Sequence, residues 1–258
     1  MKYRTVLSVA GSDCSGGAGI QADLKTIEAY GLYGMSVITA VTAQNTCGVQ
    51  GIYPVPPEIV AQQMDSVCTD IFPDAIKIGM LCSAQTAHVV AEKLKQYHGC
   101  HIVIDPVLIS TSGCRLLTDD GIRVLTEELF PLAELITPNI PEADVLRGVL
   151  TCTECAVLVK GGHSINSADD ILFESGRDMQ YPYMEAGPAA YCFHGTRIDN
   201  PDTHGTGCTL SSAIACGRAQ NLSLWESVRR AKEYVTGAIG ANLHIGHGRG
   251  PLDHTWNR

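Results

Sequence analysis

Charge is scarce in this 258-residue chain. Asp, Glu, Lys and Arg make up 17% of it, against about 25% in an average soluble domain. So little charge implies a small surface around a large buried core, which excludes a disordered tail, a coiled coil or a collagen-like rod. Positive charge is the scarcer sign: 18 Lys and Arg face 27 Asp and Glu, a formal net charge of -9. That argues against nucleic acid as a partner, because phosphate backbones are met by basic stripes. No window holds 18 consecutive apolar residues, so a membrane-spanning helix is not expected. Met1–Ala10 lacks a charged region followed by an apolar one, so a secretory leader is not expected either. Repeats, low-complexity tracts and linkers are also missing, and residues 1–258 read as one domain.

Two residue types are in surplus. Glycine occurs 26 times, about a tenth of the chain against an average near 7%. Cysteine occurs 11 times, an odd number at irregular spacing. A disulfide-stapled secreted domain would be shorter and would pair an even set. The expectation is a reducing cytoplasm in which most thiols act as small apolar side chains. Cys152-Thr153-Glu154-Cys155 is a lone pair with no second pair at zinc-binding spacing, so it reads as incidental surface cysteines. The nine histidines show no metal-binding pattern and read as solvated or remote from chemistry.

Short apolar runs alternate with helical spacing. Thr5–Ala10, Met35–Ala40, Ala75–Gly79, His101–Asp105, Glu134–Thr137 and Ala156–Lys160 are strand-length and mostly lack polar alternation. That pattern suits parallel strands covered on both faces. Between them Ala18–Ala29, Pro57–Ile71, Ala84–Tyr97 and Asp119–Leu129 carry helical periodicity, with Pro57 at a helix start and Gly31 and Gly99 at helix ends. This is a βαβ series, and the expected fold class is α/β with a doubly wound, mostly parallel sheet and helices on both faces. Residues 168–198 read as short strands joined by turns, and two helices follow, at about Gly205–Ala219 and Leu224–Leu243.

Two glycine loops carry the chemistry. Gly11-Ser12-Asp13-Cys14-Ser15-Gly16-Gly17-Ala18-Gly19 joins the first strand to the first helix. Glycines let backbone turn tightly against a ligand, and a helix N-terminus favours an anion. The loop is neither the Rossmann fingerprint nor a P-loop, since it lacks Gly-Lys-Ser/Thr. Asp202-Thr203-His204-Gly205-Thr206-Gly207-Cys208 precedes a helix of small residues. Its successive N–H groups form a nest for negative charge. Cys208 falls in the first turn of that helix, where the helix dipole favours thiolate. One loop for a small substrate and one for a transferring anion fits phosphoryl transfer, which relies mostly on positioning and charge stabilisation.

AGSDCSGGAGIQADLKT (10–26), YGMSVITAVTAQNTCGVQGI (33–52), AIKIGML (75–81), VIDPV (103–107), LITPNIPEA (135–143), VLVKGGH (157–163), HGTGCTLSSAIA (204–215) and AKEYV (231–235) follow one another along nearly the whole chain. In that order they resemble the hydroxymethylpyrimidine/phosphomethylpyrimidine kinases of thiamin biosynthesis, members of the ribokinase-like superfamily. The resemblance implies a three-layer ribokinase-like sandwich and ATP- and Mg2+-dependent phosphorylation of 4-amino-5-hydroxymethyl-2-methylpyrimidine, then of its monophosphate. It places Gln44 on the aminopyrimidine edge, where an amide presents a donor beside an acceptor. Asp23 would lie near the substrate, and Gly11, Ala18, Met80 and Val107 would line the ring pocket. Gly205, Thr206 and Gly207 would form the anion hole with Cys208, which stands where most relatives carry an aspartate base and would take the hydroxyl proton. Asp105 and Glu142 would be the metal-side carboxylates. Lys160, Gly162 and Asn139 would face the nucleotide. A homodimer is the assembly the resemblance suggests.

The chain also departs from that pattern. Only eight residues separate Arg147 from Ala156, where relatives have a further helix, so a thinner nucleotide-side wall is expected. Phe173–His194 reads as a long irregular element, a lid or an interface. Thr111 stands where many relatives carry Lys. Asp202 replaces a common Asn and is expected to add negative charge beside the anion loop. Other readings are a pyridoxal/pyridoxine kinase and a non-catalytic pyrimidine-binding regulatory protein. A nicotinamide-dependent oxidoreductase is a poor third, for want of the dinucleotide fingerprint.

Overall fold

The apolar runs do become strands, and they lie side by side in one sheet. The computed structural model describes residues 3–109, 113, 115–161, 168–179 and 190–257. Among these the strands are β1 (Thr5–Asp13), β2 (Tyr33–Asn45), β3 (Gly48–Pro54), β4 (Ala75–Ile78), β5 (His101–Ile104), β6 (Leu135–Ile136), β7 (Ala156–Lys160), β8 (Asp170–Phe173) and β9 (Ala190–Phe193). Their order across the sheet is β3-β2-β1-β4-β5-β6-β7-β8-β9. The six from β2 to β7 in that row are mutually parallel, whereas β3, β8 and β9 are antiparallel to their neighbours. The chain leaves β1 toward one edge and returns to its other side at β4. That reversal opens a crevice at the C-terminal ends of β1 and β4, where doubly wound folds bind ligands.

Period-two alternation sorts side chains between two cores. Leu7, Val9, Ile76, Ile78 and Ile104 face one, packed with Val60, Met64, Val90, Leu94 and Leu146. Those partners come from α2 (Pro57–Cys68), α3 (Ala84–Gln96) and α5 (Ile140–Leu150). Val6, Ala75 and Val103 face the other, with Ile27, Leu210, Ile214 and Val228. These come from α1 (Gly19–Ala29), α6 (Thr206–Ala219) and α7 (Leu224–Gly240). Helix α6 lies between β1, β4 and β5 on one side and α1 and α7 on the other, so its middle is buried all round. Small residues permit that: Ser211, Ser212, Ala213, Ala215 and Gly217 let backbones approach closely. Local signals set the helix starts. Ser83 and Ser223 accept from the backbone three residues on, Pro57 opens α2, and Asn139 and Glu142 close a capping box.

Three elements differ from the sequence expectation. The hairpin of β2 and β3 was not expected beyond Ala40, because its residues alternate between half-buried and exposed and offer no apolar run. The helix expected over Asp119–Leu129 stops being regular at Val124. There α4 (Asp119–Val124) gives way to a wider π turn over Leu125–Leu129 and a tight turn over Phe130–Leu132, with Pro131 barring a regular continuation. The C-terminal helix ends at Gly240, short of Leu243.

The segment after α7 folds back on the molecule. The Tyr234 hydroxyl donates to the His254 carbonyl at 2.8 Å, and His254 Nε2 lies 3.0 Å from Thr209 Oγ1 on α6. Burial, helped by the charge of Lys25, pushes the His254 imidazole down to about 4. An unfolded histidine titrates near 6.5, so the unfolded chain takes up its proton first. The stability from keeping this ring neutral is full above pH 6.5 and is lost as pH falls toward 4, roughly 3 kcal/mol over that window. Unfolding free energy measured against pH should therefore fall over pH 6.5–4, and His254→Gln should flatten that slope.

Candidate active site

The two glycine loops, nearly two hundred residues apart in sequence, touch. A Cβ on Gly205 would collide with the Gly17 carbonyl and come within 3.2 Å of the Ala18 Cα. Gly205 caps α6 with φ +83, a left-handed backbone that glycine adopts freely. A Cβ on Gly17 would in turn strike the His204 ring.

Asp13 organises the first loop. Its Oδ1 accepts from the Ser15 amide and hydroxyl at 2.9 and 2.8 Å; its Oδ2 accepts from the Gly17 and Ala18 amides at 3.1 and 2.9 Å. His204 Nε2 lies 2.9 Å from the same Oδ2 and 3.0 Å from the Gln44 amide nitrogen. Burial works against this carboxylate's charge, but the hydrogen bonds from His204 and Ser15 overcome it and hold Asp13 at about 2. One chain of contacts thus fixes Gln44 at the end of β2 against both glycine loops. Beside it, a Cβ on Gly11 would meet the Met80 methyl. Gln44, Ala18, Met80 and Val107 all keep partial exposure at this end of the sheet.

A second cluster sits at the first turn of α6. Lys160, ending β7, places its Nζ 2.6 Å from Asp105 Oδ1, and the Thr137 hydroxyl donates to the same oxygen at 3.2 Å. A Cβ on Gly207 would lie 3.3 Å from Lys160 Nζ and 3.5 Å from Asp105 Oδ2, so the missing side chain opens the helix start toward this pair. Glu142 Oε2 accepts from the Asn139 amide at 2.9 Å, and Asn139 Oδ1 accepts from the Glu142 amide at 2.9 Å. Burial pushes the Glu142 carboxyl up to about 7; the Lys160 charge opposes that push and the Asp105 charge adds to it. For Lys160 burial acts to lower its pKa, and the charges of Asp105 and Glu142 outweigh it and raise the ammonium above its usual range.

Several expected residues take different places. Asp23, expected beside the substrate, is fully buried beneath the site. Its carboxylate accepts from Lys77 Nζ at 2.9 Å on both oxygens, from the Ser8 hydroxyl at 2.5 Å and from the Ser212 hydroxyl at 2.7 Å. Burial would lower the Lys77 ammonium, but the Asp23 carboxylate overrides it and raises it above the usual lysine range. Cys208 does lie in the first turn of α6, but no lowered thiol results. Burial pushes its pKa up, the Asp23 and Asp105 charges add to that, and Lys77 and the Gly19 amide oppose it without reversing it. Asn139 spends its side-chain oxygen on the helix cap. The Asp202 carboxylate beside the anion loop is held by the Gly250 amide (2.9 Å), the His244 amide (3.1 Å) and the His244 ring (2.8 Å). Cys155 is half-buried with its Sγ 3.1 Å from Thr153 Oγ1, unlike the exposed Cys152. Gly162 and Thr111 lie outside the described residues, as do residues 180–189 within 173–194.

The model of the family described as phosphomethylpyrimidine kinase matches residues 13–253. The chain belongs to that family. It is 45% identical to the hydroxymethylpyrimidine/phosphomethylpyrimidine kinase of Rhizobium meliloti, over 96% of each chain. It is 46% identical to the thiamine biosynthesis bifunctional protein ThiED of Geobacter sulfurreducens, covering 97% of this chain and 52% of that longer one. The crystal structure of phosphomethylpyrimidine kinase from Clostridium difficile 630 is 40% identical, with a TM-score of 0.76 over 92% of this chain and 99% of that one. An ADP complex of Bacillus subtilis pyridoxal kinase is 30% identical, with a TM-score of 0.85 over 98% of both. The fold is therefore the one these vitamin kinases share.

Within this phosphomethylpyrimidine kinase family member, the sequence reading missed Lys77, Asp13 and His204. Lys77 had a signal: a lysine inside AIKI, where all four strand positions are buried, must meet an opposite charge. Removing one partner of such a buried pair costs about 3–5 kcal/mol, because the other charge is left uncompensated. Lys77→Met should lower unfolding free energy in denaturant by that amount, and Lys77→Met combined with Asp23→Leu should recover most of it.

Proposed function

We propose that this protein transfers the γ-phosphoryl group of ATP to the hydroxyl of 4-amino-5-hydroxymethyl-2-methylpyrimidine, and then a second one to the resulting monophosphate, in thiamin biosynthesis. The observation that carries the reading is the contact of Gly17 with Gly205. It sets the loop beside the Gln44 amide against the glycine-rich start of α6. Gln44, held by His204, is suited to accept from and donate to the aminopyrimidine edge, with Gly11, Ala18, Met80 and Val107 around the ring. The first turn of α6, Gly205-Thr206-Gly207-Cys208, offers N–H groups and the positive end of the helix dipole to charge developing on the transferred group. Lys160 supports the nucleotide phosphates from β7, with Asn139 beside it at the start of α5.

Magnesium fits the remaining carboxylates. Asp105 and Glu142 offer hard oxygen donors near one another, and the glycine at 207 leaves Asp105 open to the phosphate side. Magnesium is commonly held by one or two carboxylates, water and substrate phosphates. Bound there, it would neutralise phosphate charge. Cys208 acts as base in its thiolate form, reached by loss of the thiol proton to solvent. It takes the proton of the attacking hydroxyl as the oxygen–phosphorus bond forms and the bond to the ADP oxygen breaks, with Lys77 and the helix dipole holding the thiolate until then. Burial raises this thiol's pKa, so turnover is expected to rise with pH as the thiolate fraction grows.

The net charge of -9 supports small-molecule substrates over nucleic acid. Among the described residues no helix is long and apolar enough to cross a membrane. We read the protein as a single-domain cytoplasmic enzyme that acts as a homodimer. Pyridoxal kinase activity and a purely regulatory role are not favoured, since the family and the relatives with the higher identities are pyrimidine kinases.

Product masses after incubation with Mg-ATP test the reading. Two successive phosphoryl additions to the pyrimidine are expected; pyridoxal phosphate as the dominant product, or binding without turnover, would overturn it. Cys208→Ala should cut kcat about 100-fold or more with KM within a few-fold. Unchanged kcat would reduce Cys208 to a matter of shape.

A further inference from the structure

The far edge of the sheet gathers three donor atoms that the kinase site does not use. Asp169 immediately precedes β8 and His194 immediately follows β9. The antiparallel register pairs Asp170 with Phe193 and Ile171 with Cys192, so Asp169 comes opposite His194. Cys192 and His194, two apart on one strand, project to the same side. The Asp169 oxygen, the Cys192 sulfur and the His194 Nδ1 all lie within 4.8 Å of one another.

We propose that Asp169, Cys192 and His194 form a binding site for a thiophilic divalent cation such as Zn2+. Zinc bonds of ~2.0 Å to nitrogen or oxygen and ~2.3 Å to sulfur, set tetrahedrally, give ligand–ligand edges of roughly 3.3 Å (N to O) and 3.5 Å (N to S). The His194 Nδ1 to Asp169 Oδ2 separation is 3.3 Å, and the Cys192 Sγ to His194 Nδ1 separation is 3.7 Å. Two edges of the coordination figure are thus nearly in place.

The surroundings favour a cation. The Gly195 amide donates to Asp169 Oδ1 at 2.8 Å, which aims Oδ2 at His194 and supplies the outer hydrogen bond that metal-binding carboxylates use. The nearby positive charge is already engaged: Lys232 Nζ lies 2.6 Å from Asp170 Oδ2 and also donates to the Ala168 carbonyl. His194 is 84% exposed and also lines an open cavity of about 470 Å³ with Gly195, Arg229 and Lys232. Space therefore remains for water as the fourth ligand. Binding forms the metal–sulfur bond and releases the Cys192 thiol proton to solvent. The bound ion would clip the end of β9 to the start of β8.

Metal-stripped protein titrated with Zn2+ against a chromophoric chelator tests this, followed by Co2+ loading read by absorption. One equivalent should bind in competition, with affinity reduced at least about tenfold in each of Cys192→Ser, His194→Ala and Asp169→Asn. The Co2+ form should show a thiolate charge-transfer band that Cys192→Ser removes and Cys152→Ser, at an exposed thiol remote from the site, keeps. Thermal melts without metal should match for all variants, because these side chains lie at the edge, and turnover with Mg-ATP should persist. Unchanged Zn2+ affinity in the Cys192 and His194 variants, or a charge-transfer band that survives Cys192→Ser, would overturn the proposal.

Discussion

One buried carboxylate holds the working end of this molecule together. Asp23 on α1 receives Lys77 from β4, Ser8 from β1 and Ser212 from α6. Neither partner of its ion pair keeps any solvent exposure. A pair this deep gains little by itself, since desolvation offsets most of the Coulomb attraction. Its effect is on geometry. Every donor must be satisfied at a single point, so α1 and α6 can seat on the sheet only in the one arrangement that brings Gly17 against Gly205. Where those two glycines meet, the sequence's two ligand loops become one site.

That arrangement divides the labour at the strand ends. Toward β2, His204 Nε2 donates to Asp13 and the same nitrogen lies against the side chain of Gln44, the amide proposed to recognise the pyrimidine. Toward β7, the Lys160–Asp105 pair and the Glu142 capping box form a charged cluster facing the open side of Gly207. Cys208 lies between the two, in electrostatic reach of Lys77, Asp23 and Asp105. The absence of side chains at 17, 205 and 207 is thus as much a part of the site as the side chains that are present.

The parallel part of the fold was legible in the sequence, because strands buried on both faces must be apolar throughout, and all six expected runs became strands. The β2–β3 hairpin was not, because half-buried edge residues carry no such run. Within the candidate site, glycine placement picked out the two loops that the fold brings into contact, and Gln44 was proposed from family likeness. Asp23 could not be placed, since a helix carboxylate on a solvated face and one buried under a strand look alike until its partner is found. Lys77 was that partner, and a charge inside a buried strand was the available clue. The Cys208 expectation considered only the helix dipole. Burial and two neighbouring carboxylates reverse its sign, and both come from residues distant in sequence. The donors that hold the Asp202 carboxylate, Gly250 and His244, were out of reach of the local pattern for the same reason, lying more than forty residues on.

The contact of the two glycine loops is tested most directly by turnover of Gly205→Ala with Mg-ATP and the pyrimidine alcohol. A Cβ there collides with the Gly17 carbonyl and is disfavoured by the left-handed backbone, while the buried Asp23–Lys77 network is untouched. The expected result is a folded protein whose kcat/KM falls about 100-fold or more, because misplacing an oriented group by around 1 Å costs that much. Turnover within twofold of the unsubstituted protein, in a variant with an unchanged melting temperature, would contradict it.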